Sequence, residues 1–356
     1  MKMDASNRLK KLRGALADRN IAALLVSNPD NRYYLSGFSG SAGYLLITAD
    51  KALLATDSRY VEQAKQQSPD YRLFEHGAEL EKWLGKFICG LGVNEISFES
   101  DNISFRHYSQ INTIAEPLGI TLAPVNGIVE TLRTIKDADE LSLIQKAAAI
   151  SDAAIEYIRS MGRAGMSELE VAWEIEKFMR EHGSQAIPFD VIVAAGRNAA
   201  MPHHKPCDYV IKESDPVIID IGAKCSGYVS DVTRTINLGL ETEQFSHIYN
   251  IVLQAQLSAQ TNIRAGMSGY EADRTARSII ETAGYGDKFG HGVGHGIGIA
   301  VHESPRIGAS SQDILQDNMV FTIEPGIYLP DWGGVRIEDS AVLQNGRIRV
   351  LSTANK

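Results

Sequence analysis

Asp220, Asp231, His295, Glu324 and Glu338 are the residues of this chain whose types and contexts best suit chemistry. They lie in the C-terminal part of 356 residues, on strand-like or Gly-rich stretches and not on charged helix faces. Carboxylates set into apolar runs are costly to bury unless a cation neutralises them. Hard carboxylate oxygens with one imidazole suit Mn²⁺ or Co²⁺, and also Zn²⁺ or Fe²⁺, better than they suit thiolate-seeking metals. Four carboxylates are too many for one catalytic zinc. They match two divalent ions roughly 3.5–4 Å apart, a pair that lowers the pKa of a water and polarises a carbonyl.

Asp220 interrupts the apolar run Val217-Ile218-Ile219, and Asp231 lies on the returning strand of the same hairpin, with Thr233 on its face by the period-two rule. A second hairpin repeats the logic. Glu324 follows Val320-Phe321-Thr322-Ile323, and Glu338 follows Val335-Arg336-Ile337. A buried Arg336 beside a metal carboxylate would hold that carboxylate's second oxygen. Between the hairpins, residues 289–303 carry His291, His295 and His302 among closely spaced glycines. No register fits G-x-G-x-x-G and no Lys-Ser or Lys-Thr follows, which argues against a phosphate cradle. The glycines suit close backbone approach around the histidines instead. Upstream, His203 and His204 are adjacent candidates in a loop-like Met-Pro-His-His-Lys-Pro stretch.

These residues need elements to hold them. The first part of the chain alternates patterns: helix over 5–19, strand over 22–27, paired strands over 44–48 and 51–56, helix over 60–67, strand over 94–99 and helix over 105–118. Such alternation predicts an α/β domain. A break at 122–127 places the domain boundary there, with a short connecting stretch up to about Ile135, giving domains 1–125 and 126–356. The second domain holds an internal repeat: Arg163-Ala-Gly-Met-Ser167-Glu-Leu-Glu170 recurs 101 positions on as Arg264-Ala-Gly-Met-Ser268-Gly-Tyr-Glu271. Each copy follows an amphipathic helix and opens another through a Ser-x-x-Glu capping box. Strands follow each helix pair, predicting an α+β domain with approximate internal two-fold symmetry.

A net charge of −9 and a pI near 5.5 argue against nucleic acid and anionic membranes as partners. Cys89, Cys207 and Cys225 are an odd, scattered set, expected as reduced thiols in a cytoplasm. No apolar run approaches the roughly 18 residues of a membrane helix, and the N-terminal 20 residues lack a signal peptide's apolar core.

Taken together, the stretches IIDIGAKCSGYVSDVTRT, GHGVGHGIGIAVHE, FTIEPGIY and GGVRIED resemble, in order, those of the pita-bread metallopeptidases, particularly aminopeptidase P and prolidase. YLSGFSGSAG and TDSRY in the first part resemble the family's creatinase-type N-terminal domain. The resemblance implies that Asp220 holds one metal, Asp231 bridges both, His295 binds the other, and Glu324 and Glu338 complete the pair. It implies that Glu324 also shuttles a proton, that His302 stabilises an oxyanion, and that His203 and His291 face the substrate. Arg336 and Thr233 would support the ligands. Arg306 would catch the proline carboxylate of a dipeptide. The implied reaction is hydrolysis between an N-terminal residue and proline in small peptides, by a cytoplasmic homodimer whose N-terminal domain helps close the partner's active site. The motifs do not separate dipeptidase from aminopeptidase. Methionine aminopeptidase usually lacks such an N-terminal domain; creatinase lacks the full ligand set. A non-catalytic binding module of the same fold would have lost ligands.

Overall fold

The computed structural model describes residues 5–356, which divide into two compact units between Arg133 and Thr134. The N-terminal unit is built on a six-stranded sheet in the order Arg72–His76, Ala52–Asp57, Tyr44–Thr48, Ala23–Val26, Glu95–Glu99, Thr121–Val125. The central strands pair antiparallel and the outer ones parallel. Helices Leu80–Ile88 and Phe105–Ala115 bury Trp83, Phe87 and Ile111 against Leu25, Leu46 and Ile96 of the sheet. Helix Ala5–Asp18 buries Leu9, Leu12 and Leu16, one helical stripe.

The stretch read from sequence as a break, 122–127, is mostly the edge strand Thr121–Val125. An edge tolerates Pro124, which has no N–H to offer a further neighbour. All of helix Ile128–Thr134 but its last residue then stays with the first unit, so the division falls within the connecting stretch, later than residue 125. The reason is a buried polar chain: Arg133 donates to the Asn31 Oδ1 at 2.7 Å, and Asn31 donates to Glu99 at 2.7 Å and to Glu130.

The second unit is α+β and made of two similar halves. Helices Ala138–Met161 and Glu168–Glu181 pack on a three-stranded antiparallel sheet ordered Val232–Asn237, Pro216–Ile221, Ile192–Ala195. Helices Glu243–Asn262 and Gly269–Thr282 pack on a five-stranded antiparallel sheet ordered Glu303–Ile307, Gly294–Gly296, Val320–Ile323, Asp339–Gln344, Arg347–Val350. Both second helices open in a complete capping box, Ser167 with Glu170 and Ser268 with Glu271. Gly165 (φ 95°) and Gly266 (φ 90°) occupy the left-handed region, which is why the repeated motif has glycine there.

Arg234, fully buried on Val232–Asn237, joins the halves. It donates to the Glu338 carbonyl, to Asp339 Oδ1 at 2.7 Å and to the Ala354 carbonyl at 2.7 Å. Among the described residues no helix is long and apolar enough to cross a membrane. Cys89, Cys207 and Cys225 are unpaired.

Candidate metal centre

The second hairpin expected from sequence is in fact two ladders. Val320–Ile323 pairs with Asp339–Gln344, whereas Gly326–Leu329 pairs with Gly333–Arg336. Glu324 and Glu338 fall at the interruption. Pro325 has no N–H to extend the first ladder, and both glutamate amides bond elsewhere, Glu324 to the Val293 carbonyl at 2.7 Å and Glu338 to the Thr233 carbonyl at 3.1 Å. The strand break therefore delivers both carboxylates to the junction with the other sheet. In the first hairpin Asp220 pairs in register with Thr233 and not with Asp231, which immediately precedes Val232–Asn237. Asp231 lies two positions back on the Thr233 face.

Asp231, His295 and Glu338 each bring one ligand atom within 4.8 Å of the other two. His295 Nε2 stands 3.4 Å from Glu324 Oε1 and 3.7 Å from Asp231 Oδ2. Its Nδ1–H donates to the Gly296 carbonyl at 3.1 Å, which leaves Nε2 as the free lone pair. The surrounding glycines permit this. A Cβ on Gly294 would lie 1.9 Å from the Thr322 carbonyl, so the strand carrying His295 could not approach Val320–Ile323 with any larger residue there.

Asp220, Glu338 and Glu324 are each held from outside. Arg336 Nη2 donates to Asp220 Oδ2 at 2.7 Å, Nη1 to the Tyr328 hydroxyl at 3.0 Å and Nε to the Thr233 hydroxyl at 3.2 Å. The arginine thus grips the acid of the other hairpin, and its neighbour Glu338 is held by Thr233, whose hydroxyl donates at 2.6 Å. Thr322 donates to Glu324 Oε1 at 3.1 Å. Burial, followed by repulsion from Glu338, Asp220 and Glu324, pushes the Asp231 carboxyl well above the usual range. Burial, then Glu324 and Asp220, does the same to Glu338. Glu324 is raised too, by burial first, although His291 and Arg336 pull it down. Asp220 Oδ1 is buried without a partner. An orphaned carboxylate oxygen beside acids that repel one another is the donor set a divalent cation would complete.

The remaining candidates ring this centre. His302 is exposed, with its ring 4.2 Å from that of His295; burial of part of the ring, then His295 and His203, lowers its pKa. His203 is exposed and near enough to His302 to act on it electrostatically. His204 turns away to Glu168 at 2.7 Å. His291 bonds the Tyr328 hydroxyl at 2.8 Å through Nε2 and the Gly292 carbonyl at 2.8 Å through Nδ1, and burial lowers its pKa. Arg306 is exposed; it pairs in register with His295 across the Gly294–Gly296 ladder. Sequence reasoning passes over Tyr328, whose hydroxyl joins His291 to Arg336 and is pushed by burial up to about 12. It also passes over Thr322, which supports both the His295 amide and Glu324. Thr322 and Tyr328 lie on the strands that flank Glu324, and spacing of two residues from a ligand is the signal that points to Thr322.

Residues 8–135 match the creatinase/prolidase N-terminal domain, and residues 142–345 match metallopeptidase family M24. An uncharacterized peptidase of Bacillus subtilis, YqhT, is 39% identical, with 98% of each chain covered. The solved structure of a Xaa-Pro dipeptidase from Bacillus anthracis superposes with a TM-score of 0.96 at 40% identity, covering 99% of each chain. That of an X-Pro aminopeptidase from Thermotoga maritima gives 0.90 at 35% identity, covering 98% of each. With a creatinase-type domain ahead of two fused helix–sheet halves and the acids gathered where those halves meet, the chain belongs to metallopeptidase family M24.

Proposed function

We propose that this protein hydrolyses the bond between an N-terminal residue and a following proline in small peptides, with two divalent cations held by Asp220, Asp231, His295, Glu324 and Glu338. The observation that carries the reading is the junction of the two sheets, where Asp231, His295 and Glu338 converge beside Glu324 and an unpartnered Asp220 oxygen. When bound, such a pair would supply Lewis-acid polarisation of the scissile carbonyl and an activated water near neutral pH, with Mn²⁺ or Co²⁺ the ions of choice.

The chain's own groups do the rest. Glu324, raised by burial, is suited to take up a proton and return it to the leaving nitrogen. His302, at the exposed rim beside His295, is placed to donate to the developing oxyanion, a contact typically worth a few kcal/mol of barrier. His203 and His291 line the substrate side, His291 fixed by Tyr328. Arg306 would meet a substrate carboxylate. Proline at the second position presents a tertiary amide without N–H, so recognition falls on the carbonyl and the ring. The protein would act as a homodimer.

The test is hydrolysis by metal-stripped protein, with Mn²⁺ or Co²⁺ restored, of Xaa-Pro, Xaa-Pro-Yaa and Xaa-Ala peptides. Metal-dependent cleavage confined to the proline peptides is expected, and turnover of the dipeptide alone would assign dipeptidase. A protein that takes up no divalent ion and stays inert would be a binding module of the same fold instead.

A further inference from the structure

We infer that Glu168, which takes no part in the metal centre, is the positioning residue for His203; the inference rests on the substrate-facing role proposed for that histidine. Glu168 opens helix Glu168–Glu181 and is wholly buried. Its Oε1 accepts from the Ala195 amide at 2.8 Å and from Asn198 Nδ2 at 3.0 Å. Its Oε2 accepts from His204 Nε2 at 2.7 Å, from the Cys207 amide at 3.1 Å and from the Cys207 thiol at 3.2 Å. One carboxylate thus ties the end of strand Ile192–Ala195 to the far side of the loop it feeds. On the near side, the Pro202 carbonyl accepts from Arg336 Nη1 at 3.3 Å, and the same guanidinium grips Asp220. His203 sits between these two fastenings: one leads to the metal centre through Arg336, the other to Glu168. An exposed side chain on an otherwise irregular loop is thereby given a fixed origin.

Glu168, His204 and Cys207 are also ligand types for a metal. Their separations of 2.7 and 3.2 Å are those of shared protons; ligands of a tetrahedral zinc stand about 3.4 Å apart. The other half of the unit solves the same problem differently. The position matching Glu168 in the repeat is Gly269, and the acid is Asp273, one turn on. Asp273 accepts from the Val293 amide at 3.1 Å and pairs with Arg277, which donates to the His291 carbonyl at 2.6 Å. In each half, a buried acid on the second helix fastens a histidine-bearing segment.

The experiment is a double-mutant cycle on the metal-loaded protein with a Xaa-Pro substrate, combined with hydrogen exchange across 201–207. Glu168→Gln keeps an acceptor for Ala195 but turns an amide N–H₂ toward His204 and Cys207. It is expected to lower kcat/KM about tenfold in the parent and to change it less than about twofold in the His203→Ala background. Metal content should stay at the parental value, and exchange across 201–207 should rise at least about tenfold, with or without metal. If Glu168→Gln does not fold, His204→Ala carries the same cycle, because it leaves the backbone bonds of Glu168 intact. Equal losses in both backgrounds, loss of metal, or unchanged exchange would overturn the inference. A His203→Ala protein as active as the parent would overturn it together with the role proposed for His203, while leaving the peptidase reading standing.

Discussion

Arg336 is the residue on which the centre's electrostatics turn. Its guanidinium reaches Asp220, Tyr328, Thr233 and the Pro202 carbonyl from a single buried position. A lysine could supply the charge but not the fork, so it would satisfy one of these acceptors and strand the others. Arg336→Lys is expected to fold and to lose about 10–100-fold in divalent-ion affinity, as changes to groups supporting metal ligands typically do. Titration of the metal-stripped variant with Mn²⁺ reads this, and parental affinity would show that Asp220 needs no such support. At this scale the sequence is generous with residue types and poor in partnerships. Asp220, Asp231, Glu324 and Glu338 stand out because an acid in an apolar run is costly to bury without a cation beside it. That Arg336 reaches across to Asp220, leaving Glu338 to Thr233, depends on how two sheets meet. No spacing within one strand encodes that.

At the scale of elements, the duplicated capping boxes offer a matched pair of measurements. Ser167 accepts from the Glu170 amide and Ser268 from the Glu271 amide, both at 3.2 Å. Ser167→Ala and Ser268→Ala should each cost about 1 kcal/mol by urea unfolding. Markedly unequal costs would mean that the halves, similar in sequence, differ in how far their second helices depend on local capping. The repeat is legible because glycine, serine and glutamate at those offsets perform backbone tasks that no tertiary context has to supply. Elements without that kind of punctuation are harder to read. Helix Pro29–Ser36 escapes the periodicity because it is short, although Asn28 caps it, accepting from the Asp30 amide at 2.8 Å, and Pro29 starts it. Edge strands Arg72–His76 and Thr121–Val125 escape because an edge carries polar residues and proline that a central strand excludes. The interruption at Glu324 and Glu338 is hidden for a different reason. Both flanks read as continuous strand, and only their partners reveal that the ladder changes.

For the whole molecule, the acids and histidines give opposite pH dependences to the metal-free fold. Asp231, Glu324 and Glu338 hold protons to higher pH folded than unfolded, so their contribution is present below the ordinary carboxylate values and lost as pH rises through the folded ones. Burial lowers His291, His295 and His302, so their contribution is present above about 6.5 and lost as pH falls. A cation needs the acids ionised and His295 neutral, and protons compete with it on both counts. The rise in Tm on adding Mn²⁺ should therefore be largest at about pH 7–8 and shrink toward about pH 5. Calorimetry across that range checks it, and an increment that grows on acidification would contradict it.

The bridge made by Arg234 carries a consequence for how this molecule can change over time. Two of the proposed ligands belong to one half of the second unit and three to the other, and the guanidinium that keeps the halves in step reaches only the backbone of one of them, at Glu338. Substitution of Arg234, which is not itself one of the proposed ligands, can thus misalign them without removing a single one. Change at that seam is therefore expected to be constrained together with the proposed ligands, and tolerance of change is expected on the outer faces of the helices instead.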